Sequence, residues 1–434
     1  MRVLIPNATS PTNIGDLAML ESLIDLIKAN IPNSKITIHS VDPKLYQKYE
    51  KFRGYTVRNT LYGWSVFENF SPIVRSIRLL ELFIGTVQLA LRPSAEPITI
   101  SRVLHDLLQD YQKADIVAFV GGGYFRPKQG IKQGLNLLMN LSAFFLASLG
   151  KNQTIVSPIS FGPFGYEWEE KLTAGLLSKM DLVAVREEIS WEIIKKHNLK
   201  NVILSCDHAL LRKAHISGKR EEILGFTIRS WLKGEKQRNF EAAVAGTMTA
   251  FYKKTGWPVL PIVQVSAASY GEDDEEVTDR IIKTLRDTKV IVLPKEKIQS
   301  LNQADRIYGQ IGLLLGMRMH SNIIAATQNT PFVAIGYEHK TLGIAKQLGV
   351  GNYCIDSISV TQKNLTELLF AAYKNRDLIR RLLRKSLTQL MRSEMTVWSK
   401  ILYDAAANDT GIAKTEVSSI LKNLIIQKDV IAKI

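Results

Sequence analysis

Residues 115–123 read Asp-Ile-Val-Ala-Phe-Val-Gly-Gly-Gly, so one acidic residue is followed by five apolar residues and then by three glycines. An unbroken apolar run of this length is typical of a strand that is buried on both faces of a parallel sheet. The glycines indicate a tight turn after the strand, because glycine adopts backbone conformations that other residues avoid. This stretch therefore predicts an α/β domain.

Apolar runs of the same kind recur on either side of it and alternate with segments of helical period, such as 17–29 and 134–149. The strands predicted in the first half are 2–6, 35–41, 115–120, 154–160, 182–186 and 202–206. Apolar strands that alternate with helices predict a parallel sheet. Because crossover connections are right-handed, the expected fold is a doubly wound domain.

The pattern pauses at a polar stretch, 215–222, and then begins again. The strands predicted in the second half are 223–228, 259–265, 290–293, 313–315, 332–335 and 353–355. Helical segments are predicted at 277–286 and 321–327, with a helical C-terminal segment at 365–403. We predict two Rossmann-like doubly wound domains, 1–215 and 222–410, that face a cleft, and a tail at 411–434. Ligands of such sheets bind beyond the carboxyl ends of the strands.

The composition is that of a folded protein with more than one domain, with 434 residues, 46% apolar and 22% charged. The net charge of +15 is explained first by solvated helix faces. The second explanation is contact with an anionic membrane surface or a lipid-diphosphate substrate. Nucleic acid is not expected as a partner, because no DNA- or RNA-binding motif accompanies the charge.

Two cysteines, Cys206 and Cys354, stand in apolar, strand-like stretches. They indicate buried free thiols and no zinc motif, which suits a reducing cytoplasm. The N-terminus lacks the pattern of a signal peptide, and no apolar run reaches the roughly 20 residues of a membrane span. We therefore predict a cytoplasmic protein, and its oligomeric state stays open.

An insert at about 62–97 interrupts the alternation of strands and helices. It contains several aromatic residues and an apolar run at 75–91 with basic flanks. One interpretation is a helical excursion that packs on the first domain. The other is an interfacial helix that touches lipid headgroups at an anionic membrane surface.

The first polar loop, 7–16, follows the first predicted strand and contains Asn13, Gly15 and Asp16. Asp16 is expected to cap the following helix, with Gly15 providing the turn. In a second interpretation, the polar side chains of this loop point into the cleft. Gly121, Gly122 and Gly123 likewise form either a tight turn or a loop whose bare backbone faces a substrate.

The strongest constellation is Gly316-Met317-Arg318-Met319-His320-Ser321-Asn322, between a predicted strand and a predicted helix. Arg318 and His320 can face the same way from an extended turn. A guanidinium binds a carboxylate or phosphate with two hydrogen bonds, and a histidine can transfer a proton near neutral pH. Lys340 follows the next predicted strand, so its ammonium is expected at the same edge of the sheet.

Arg186 closes another apolar strand, in the first half of the chain. A charge at the end of a buried strand needs a partner or a ligand. Arg186 either pairs with Glu187 or Glu188 or points into the cleft, and both interpretations are open.

Taken together, these motifs resemble those of the polysaccharide pyruvyltransferase family over roughly residues 1 to 350. The matching motifs are Asn13-x-Gly15-Asp16, Gly121-Gly122-Gly123, Arg186-x-x-x-Ser190, Asp207-x-Ala209, Gly316-Met317-Arg318-Met319-His320 and Tyr337-x-x-Lys340. The resemblance implies a fold similar to that of GT-B glycosyltransferases. It also implies a transferase that uses phosphoenolpyruvate as donor substrate, without a metal or any other cofactor.

The same resemblance implies roles for individual residues. Arg186, Arg318 and Lys340 would bind the phosphate and carboxylate of phosphoenolpyruvate, and His320 would be the general acid/base. The product would be a pyruvate ketal on a sugar of a bacterial polysaccharide precursor, and a lipid-linked acceptor is open. The residues expected across the cleft, on the acceptor side, are Asn13, Gly15, Asp16, Gly121, Gly122 and Gly123.

Other functions remain open. A GT-B glycosyltransferase that uses a nucleotide sugar would share the fold, although only Glu338 is placed to hold a ribose in the second domain. A non-catalytic scaffold that binds membrane or polysaccharide is less favoured, because Arg318, His320 and Lys340 are all present. An enolpyruvyl ether is an alternative to the ketal product.

Overall fold

The structure is a computed structural model that describes residues 1–67, 71–125, 130–213, 220–267 and 272–407. Its contacts divide the chain into two compact units. The first contains Met1–Pro11, Met19–His208 and the described residues from Ser393 onward. The second contains Thr12–Ala18 and Ala209–Arg392. Each unit is built on its own parallel sheet.

The sheet of the first unit has eight strands in the order β3-β2-β1-β4-β6-β7-β8, with β5 paired to β6. Its strands are β1 (Arg2–Ala8), β2 (Lys35–Ser40), β3 (Thr56–Asn59), β4 (Ile116–Phe119), β5 (Gly122–Phe125), β6 (Gln153–Phe161), β7 (Leu182–Val185) and β8 (Val202–Leu204). All of these pairings are parallel. β4 and β7 are buried along their whole length, as expected for strands of an apolar run.

The helices that accompany this sheet are α1 (Ile14–Asn30), α2 (Pro43–Tyr46), α3 (Pro72–Leu91), α4 (Arg102–Lys113), α5 (Ile131–Leu149), α6 (Glu167–Leu177) and α7 (Glu188–Lys195). Ser71 and Ser101 cap α3 and α4, because their hydroxyl oxygens accept backbone N–H groups of the first turn. The core is aromatic beneath β4, where the ring of Phe119 stacks on Phe144 of α5 at 3.8 Å between centroids.

The sheet of the second unit has six strands in the order β13-β10-β9-β14-β15-β16. The strands of this unit are β9 (Leu224–Thr227), β10 (Val259–Val263), β11 (Ser266–Ala267), β12 (Glu272–Asp273), β13 (Glu296–Lys297), β14 (Leu313–Gly316), β15 (Phe332–Gly336) and β16 (Cys354–Asp356). The six pair in parallel, while β11 and β12 form a separate antiparallel pair. The carboxyl ends of β9, β14 and β15 are therefore neighbours at one edge.

The helices of this part of the chain are α8 (Gly234–Thr255), α9 (Glu275–Asp287), α10 (Leu301–Gln310), α11 (Met319–Thr327), α12 (His339–Gln347), α13 (Gln362–Lys374) and α14 (Arg376–Ala406). The predicted architecture of two parallel-sheet α/β units with a helical C-terminal segment is confirmed. The strand predicted at 290–293 is wrong, because only Val292 makes an isolated bridge, to Val259. The short strand β3 was not predicted, since its half-exposed Thr-Val-Arg-Asn sequence lacks an apolar run.

The division into units differs from the predicted domains at both ends of the chain. Residues Thr12–Ala18 cluster with the second unit, and α14 passes into the first unit at Ser393. The reason for the second difference is Trp398, which is fully buried. Its ring contacts that of His208 edge-on at 4.5 Å, and its indole N–H donates to Ser205 at 3.2 Å. The predicted tail at 411–434 and most of the polar joint at 215–222 lie outside the described residues.

Both cysteines are free, as predicted. Cys206 is buried, whereas Cys354 is half-buried, and this burial raises the pKa of its thiol to about 11. Within the described ranges, no helix is both long enough and apolar enough to cross a bilayer.

Two buried histidines make the stability of the first unit depend on pH. Burial lowers the pKa of His208 to about 3, and it also lowers the pKa of His39, despite the hydrogen bond to Asp110. Both imidazoles titrate near pH ~6.5 in the unfolded chain, which therefore binds more protons below that pH. We expect the free energy of unfolding to decrease by up to about 1.4 kcal/mol per pH unit for each histidine as the pH falls below about 6.5.

Urea unfolding at several pH values between about 7.5 and about 5 measures this slope. The variant His208→Gln should show a shallower dependence than the wild type, because one of the two protonation steps is lost. An identical slope for this variant would contradict the assignment.

Candidate functional site

Three of the predicted site residues gather at the carboxyl edge of the second sheet. Arg318 comes two residues after the end of β14 and is the N-cap residue of α11, and His320 lies in the first turn of that helix. Lys340 lies in the first turn of α12, the helix that follows β15. β14 and β15 are neighbouring parallel strands, so the structure brings these residues to one edge. The extended turn predicted around Arg318 and His320 is instead the start of a helix.

Arg318 is held by a carboxylate that the sequence analysis did not select. Its guanidinium donates from Nη2 to Oδ1 of Asp274 at 2.7 Å and from Nε to Oδ2 at 3.0 Å. Both side chains are buried, with 8% and 1% of their surface exposed. This bidentate pair fixes the plane of the guanidinium. Asp274 is one of five consecutive acidic residues, 272–276, and no pattern in the sequence distinguishes it from its neighbours.

Lys340 has a carboxylate partner as well. Its Nζ atom lies 2.8 Å from Glu338, and both side chains are largely buried. The two cations of the site are thus placed by acidic residues. Each cation is paired with a carboxylate, so the local net charge is close to zero. The affinity for an anion that binds here would therefore depend mainly on the geometry of its hydrogen bonds to the oriented N–H groups.

The start of α1 and the residue before it belong to this site. A Cβ atom placed on Gly15 would lie 2.0 Å from Nδ1 and 2.2 Å from Cγ of His320, so the imidazole packs directly on the Gly15 backbone. Asn13 forms an isolated antiparallel bridge with Val265, whose carbonyl accepts the backbone N–H of Asp274. The structure places Gly15 against His320. The assignment of Asn13, Gly15 and Asp16 to the acceptor side stays a prediction.

The capping of α1 also differs from the prediction. The helix begins at Ile14, so Asn13 is the residue before it, and Oδ1 of Asn13 accepts the N–H of Gly15 at 3.2 Å. Asp16 lies inside the first turn and accepts from the Asn13 side chain at 3.0 Å. Asn13 therefore caps the helix, and Asp16 orients the capping residue.

Buried hydrogen bonds hold the segment that carries Arg318 and His320. The hydroxyl of Ser321 donates to the carbonyl of Arg318 at 2.6 Å and lies 2.8 Å from the hydroxyl of Thr227 on β9. The side-chain amide of Asn322 donates to the carbonyl of Gly316 at 3.1 Å. Since all of these polar side chains are buried, breaking one of these bonds would leave a buried polar group unsatisfied.

An arginine that packs against two aromatic rings lies at the same edge. Arg229 follows β9, and the carbon of its guanidinium lies 5.3 Å from the ring of Trp231 and 4.9 Å from the ring of Tyr337. The two rings contact each other at 4.8 Å between centroids. Cation–π contacts fix the arginine beside the site. Sequence reasoning missed Arg229 and Trp231, although their position just after an apolar strand was the available signal.

Arg186 pairs with a carboxylate other than the predicted Glu187 or Glu188. It is 1% exposed, and its Nη1 atom donates to Asp207 at 2.7 Å, while its Nε atom donates to Ser160 at 2.9 Å. Glu187 instead accepts from the N–H of Ser190 and caps α7. Arg186 thus forms a buried ion pair of the first unit. The role of Arg186 in binding phosphoenolpyruvate stays a prediction.

Two of the three glycines form part of the first sheet. Gly122 and Gly123 belong to β5, which pairs with β6, and the predicted turn is therefore a short strand. A Cβ atom on Gly121 would lie 2.4 Å from the carbonyl oxygen of Pro158, which explains the need for glycine there. The residues after β5, 126–129, lie outside the described ranges.

The described part of the chain contains no group of three or more His, Cys, Asp or Glu side chains arranged to hold a metal ion. The side chains described above supply hydrogen-bond donors, fixed cations and one imidazole. Such a set can bind a carboxylate or phosphate and move a proton beside it.

Comparison with known proteins agrees with the fold. A UDP-GlcNAc 2-epimerase from Neisseria meningitidis, bound to UDP-GlcNAc, superposes with a TM-score of 0.55 at 13% identity and covers 94% of this chain and 100% of its own. The Anabaena protein HepE, in complex with UDP and glucose, has a TM-score of 0.52 at 11% identity, with 96% and 100% coverage. The GT-B-like fold class is thus confirmed.

Sequence relatives narrow the assignment. AmsJ, an amylovoran biosynthesis protein of Erwinia amylovora, is 23% identical over 381 residues, which are 82% of this chain and 88% of AmsJ. The model of the polysaccharide pyruvyl transferase family matches residues 13–339. This match includes Gly15, Arg318 and His320 and ends beside Lys340. Because it spans most of the chain, the protein belongs to the polysaccharide pyruvyl transferase family.

Proposed function

We propose that this protein transfers the enolpyruvyl group of phosphoenolpyruvate to a sugar of a polysaccharide precursor, in the cytoplasm, and forms a pyruvate ketal with release of phosphate. One observation carries the proposal. Arg318, His320 and Lys340 come within four residues of the carboxyl ends of two neighbouring parallel strands, in a chain that belongs to a family of pyruvyl transferases. Two cations and a proton carrier at one sheet edge are the groups that this donor requires.

The donor explains why more than one cation is needed. Phosphoenolpyruvate carries about three negative charges at neutral pH, on a carboxylate and a phosphate, and such groups bind best to several oriented N–H donors. In the proposal, Arg318 and Lys340 bind these two groups. Asp274 keeps the guanidinium plane fixed through its bidentate contact. Arg229, which packs against the rings of Trp231 and Tyr337, is a further donor at this edge.

His320 has the proton-transfer role in the proposal. A sugar hydroxyl adds through its oxygen to C2 of phosphoenolpyruvate, and its proton is carried by the imidazole to C3, which becomes a methyl group. The C2–O bond to phosphate then breaks, and phosphate leaves. A second hydroxyl of the same sugar adds to C2, and its proton leaves with the phosphate. The products are a cyclic ketal and inorganic phosphate.

The acceptor in this proposal is a saccharide of a polysaccharide assembly route, and a lipid-linked precursor is the form that we favour. Two observations support a saccharide acceptor. A curated relative takes part in amylovoran biosynthesis, and solved structures with the same fold bind UDP-sugars. The basic charge of the chain also suits a phosphorylated acceptor.

Binding of phosphoenolpyruvate provides the first test, by isothermal titration without added metal. We expect the wild type to bind, and Lys340→Gln to bind at least about tenfold more weakly, because it loses a charge-assisted hydrogen bond. Lys171→Gln is the matched control, since Lys171 is also paired with a glutamate, Glu167, but on the exposed surface of α6. Its affinity should equal that of the wild type.

A panel of UDP-sugars in the same titration separates this donor from the nucleotide-sugar alternative. Binding of a UDP-sugar without binding of phosphoenolpyruvate would reject the proposed donor and favour a glycosyltransferase. Equal loss of affinity in Lys171→Gln and Lys340→Gln would show that the effect is general electrostatics, and would reject the assigned role of Lys340.

A further inference from the structure

Helix α3 exposes a wide apolar face. Its side chains Ile73, Leu80 and Phe83 are 73%, 58% and 65% exposed, and further apolar residues at 77, 79, 84, 87 and 91 are exposed beside them. More than half of the exposed large apolar side chains in the described residues fall between 73 and 138. An exposed apolar surface of this extent usually marks an interaction site.

The opposite face of α3 anchors the helix on the first unit. Leu82 and Leu89 are buried, and a Cβ atom on Gly85 would lie 2.8 Å from Leu108 of α4. Arg78 places its guanidinium over the ring of Trp64 at 5.1 Å and donates to the Trp64 carbonyl. The helix is therefore fixed, and its apolar residues face outward because the inner face is already occupied.

The exposed arc is too wide for a helix–helix seam alone. A coiled-coil seam needs only two apolar positions in seven, whereas the exposed apolar residues of α3 cover about half of the circumference. Beyond the helix, Ile98 and Ile100 add side chains that are 71% and 92% exposed. A broad apolar surface of this kind matches a continuous apolar medium better than a single partner helix.

The charges around the apolar face of α3 indicate which apolar medium it contacts. The segment 71–92 contains three arginines and one acidic residue, Glu81, which is buried and accepts the N–H of Ser101 at 2.5 Å. Arg75 lies near one end of α3, Arg92 follows its other end, and Arg102 begins α4. A second copy of the chain would bring arginines against arginines in either orientation. An anionic lipid surface offers phosphates to all of them.

We propose that α3 and the adjoining segment 98–103 dock into the interface of an anionic membrane, with the apolar side chains between the lipid headgroups and the arginines on lipid phosphates. The helix has 20 residues, about 30 Å long, and lies on the surface without crossing it. This inference chooses the interfacial interpretation of the insert. It does not depend on the identity of the transferred group.

Flotation of the full-length protein with lipid vesicles tests the proposal without any substrate. The wild type should float with vesicles of equal parts phosphatidylglycerol and phosphatidylcholine, and less with phosphatidylcholine alone. The double variant Leu80→Glu/Ile84→Glu should bind at least about tenfold more weakly, because two large apolar side chains are lost from the interface. Ile358→Glu is the matched control, since Ile358 is 77% exposed in the second unit, and it should bind like the wild type.

A second variant isolates the charge contribution. Arg75→Gln/Arg92→Gln should weaken binding to the anionic vesicles but leave binding to phosphatidylcholine unchanged. Absence of wild-type flotation, or equal flotation of the wild type and Leu80→Glu/Ile84→Glu, would overturn the proposal. A wild-type dimer in sedimentation equilibrium that becomes monomeric in this double variant, without vesicle binding, would assign the face to a second copy of the chain.

Discussion

Replacement of His320 by alanine is expected to reduce turnover by about 10²- to 10⁴-fold, the usual contribution of a general acid/base. The physical reason is the uphill transfer of a proton to C3 of phosphoenolpyruvate, which water performs poorly without a positioned carrier. His320 is half-buried in the first turn of α11, so the variant should fold. Phosphate release from phosphoenolpyruvate, with a panel of p-nitrophenyl hexosides as acceptors, measures the rate.

His320→Ala should affect turnover much more than the affinity for phosphoenolpyruvate, and this difference makes the prediction specific. Affinity for phosphoenolpyruvate should change by less than about threefold in His320→Ala, since the cations assigned to the donor stay in place. Lys340→Gln should show the opposite result, with weaker binding of the donor. If His320→Ala retained full turnover with the hexoside that the wild type uses, the proton-transfer role would have to be withdrawn.

A single methyl group at residue 15 is expected to be nearly as damaging. In Gly15→Ala, the new Cβ atom would lie 2.0 Å from Nδ1 of His320 and 2.7 Å from its Cβ, so the whole imidazole must move. We expect turnover to fall by at least about 10²-fold, because a displacement of about 1 Å in the reacting groups has effects of that size. Overpacking should also lower the free energy of unfolding by about 1–3 kcal/mol.

A double-mutant cycle separates displacement of His320 from general damage. In the His320→Ala background, Gly15→Ala should cause no further loss of turnover, because the imidazole that it would displace is already gone. Part of the loss of stability should remain, because the Cβ atom of residue 320 is kept and would lie 2.7 Å from the new Cβ atom. Gly54→Ala is the matched control, since a Cβ atom there would meet nothing within 4 Å. Additive effects of the two substitutions on turnover would mean that Gly15 acts on the fold and not through the imidazole.

The sequence predicted best what depends on neighbouring residues. The Gly316–Asn322 motif follows an apolar strand and opens a helix, and both features can be read from the local pattern. The contact between Gly15 and His320 could not be predicted, because no local pattern reports a contact between residues so far apart. Asp274 was missed for a related reason, since its acidic neighbours share its composition and only tertiary structure selects it.

The errors of the prediction have physical causes of the same kind. Arg186 closes a strand as expected, but its partner is Asp207, which comes from the end of a neighbouring strand. The boundary in α14 was missed because the helical pattern is continuous through 376–406 and carries no break at Ser393. Burial of Trp398 decides which unit receives the end of that helix.

The short segment Thr12–Ala18 clusters with the second unit. This placement limits where two related sequences can be joined to make a working chimera. A crossover at 208–209 would exchange most of the second unit but would leave behind the glycine that packs on His320 and the asparagine that pairs with Val265. Such a hybrid would take Asn13 and Gly15 from one parent and His320 from the other, so the contact between Gly15 and the imidazole would join two different sequences. The two halves are therefore not interchangeable modules, and working chimeras should inherit residues 12–18 together with 209–392.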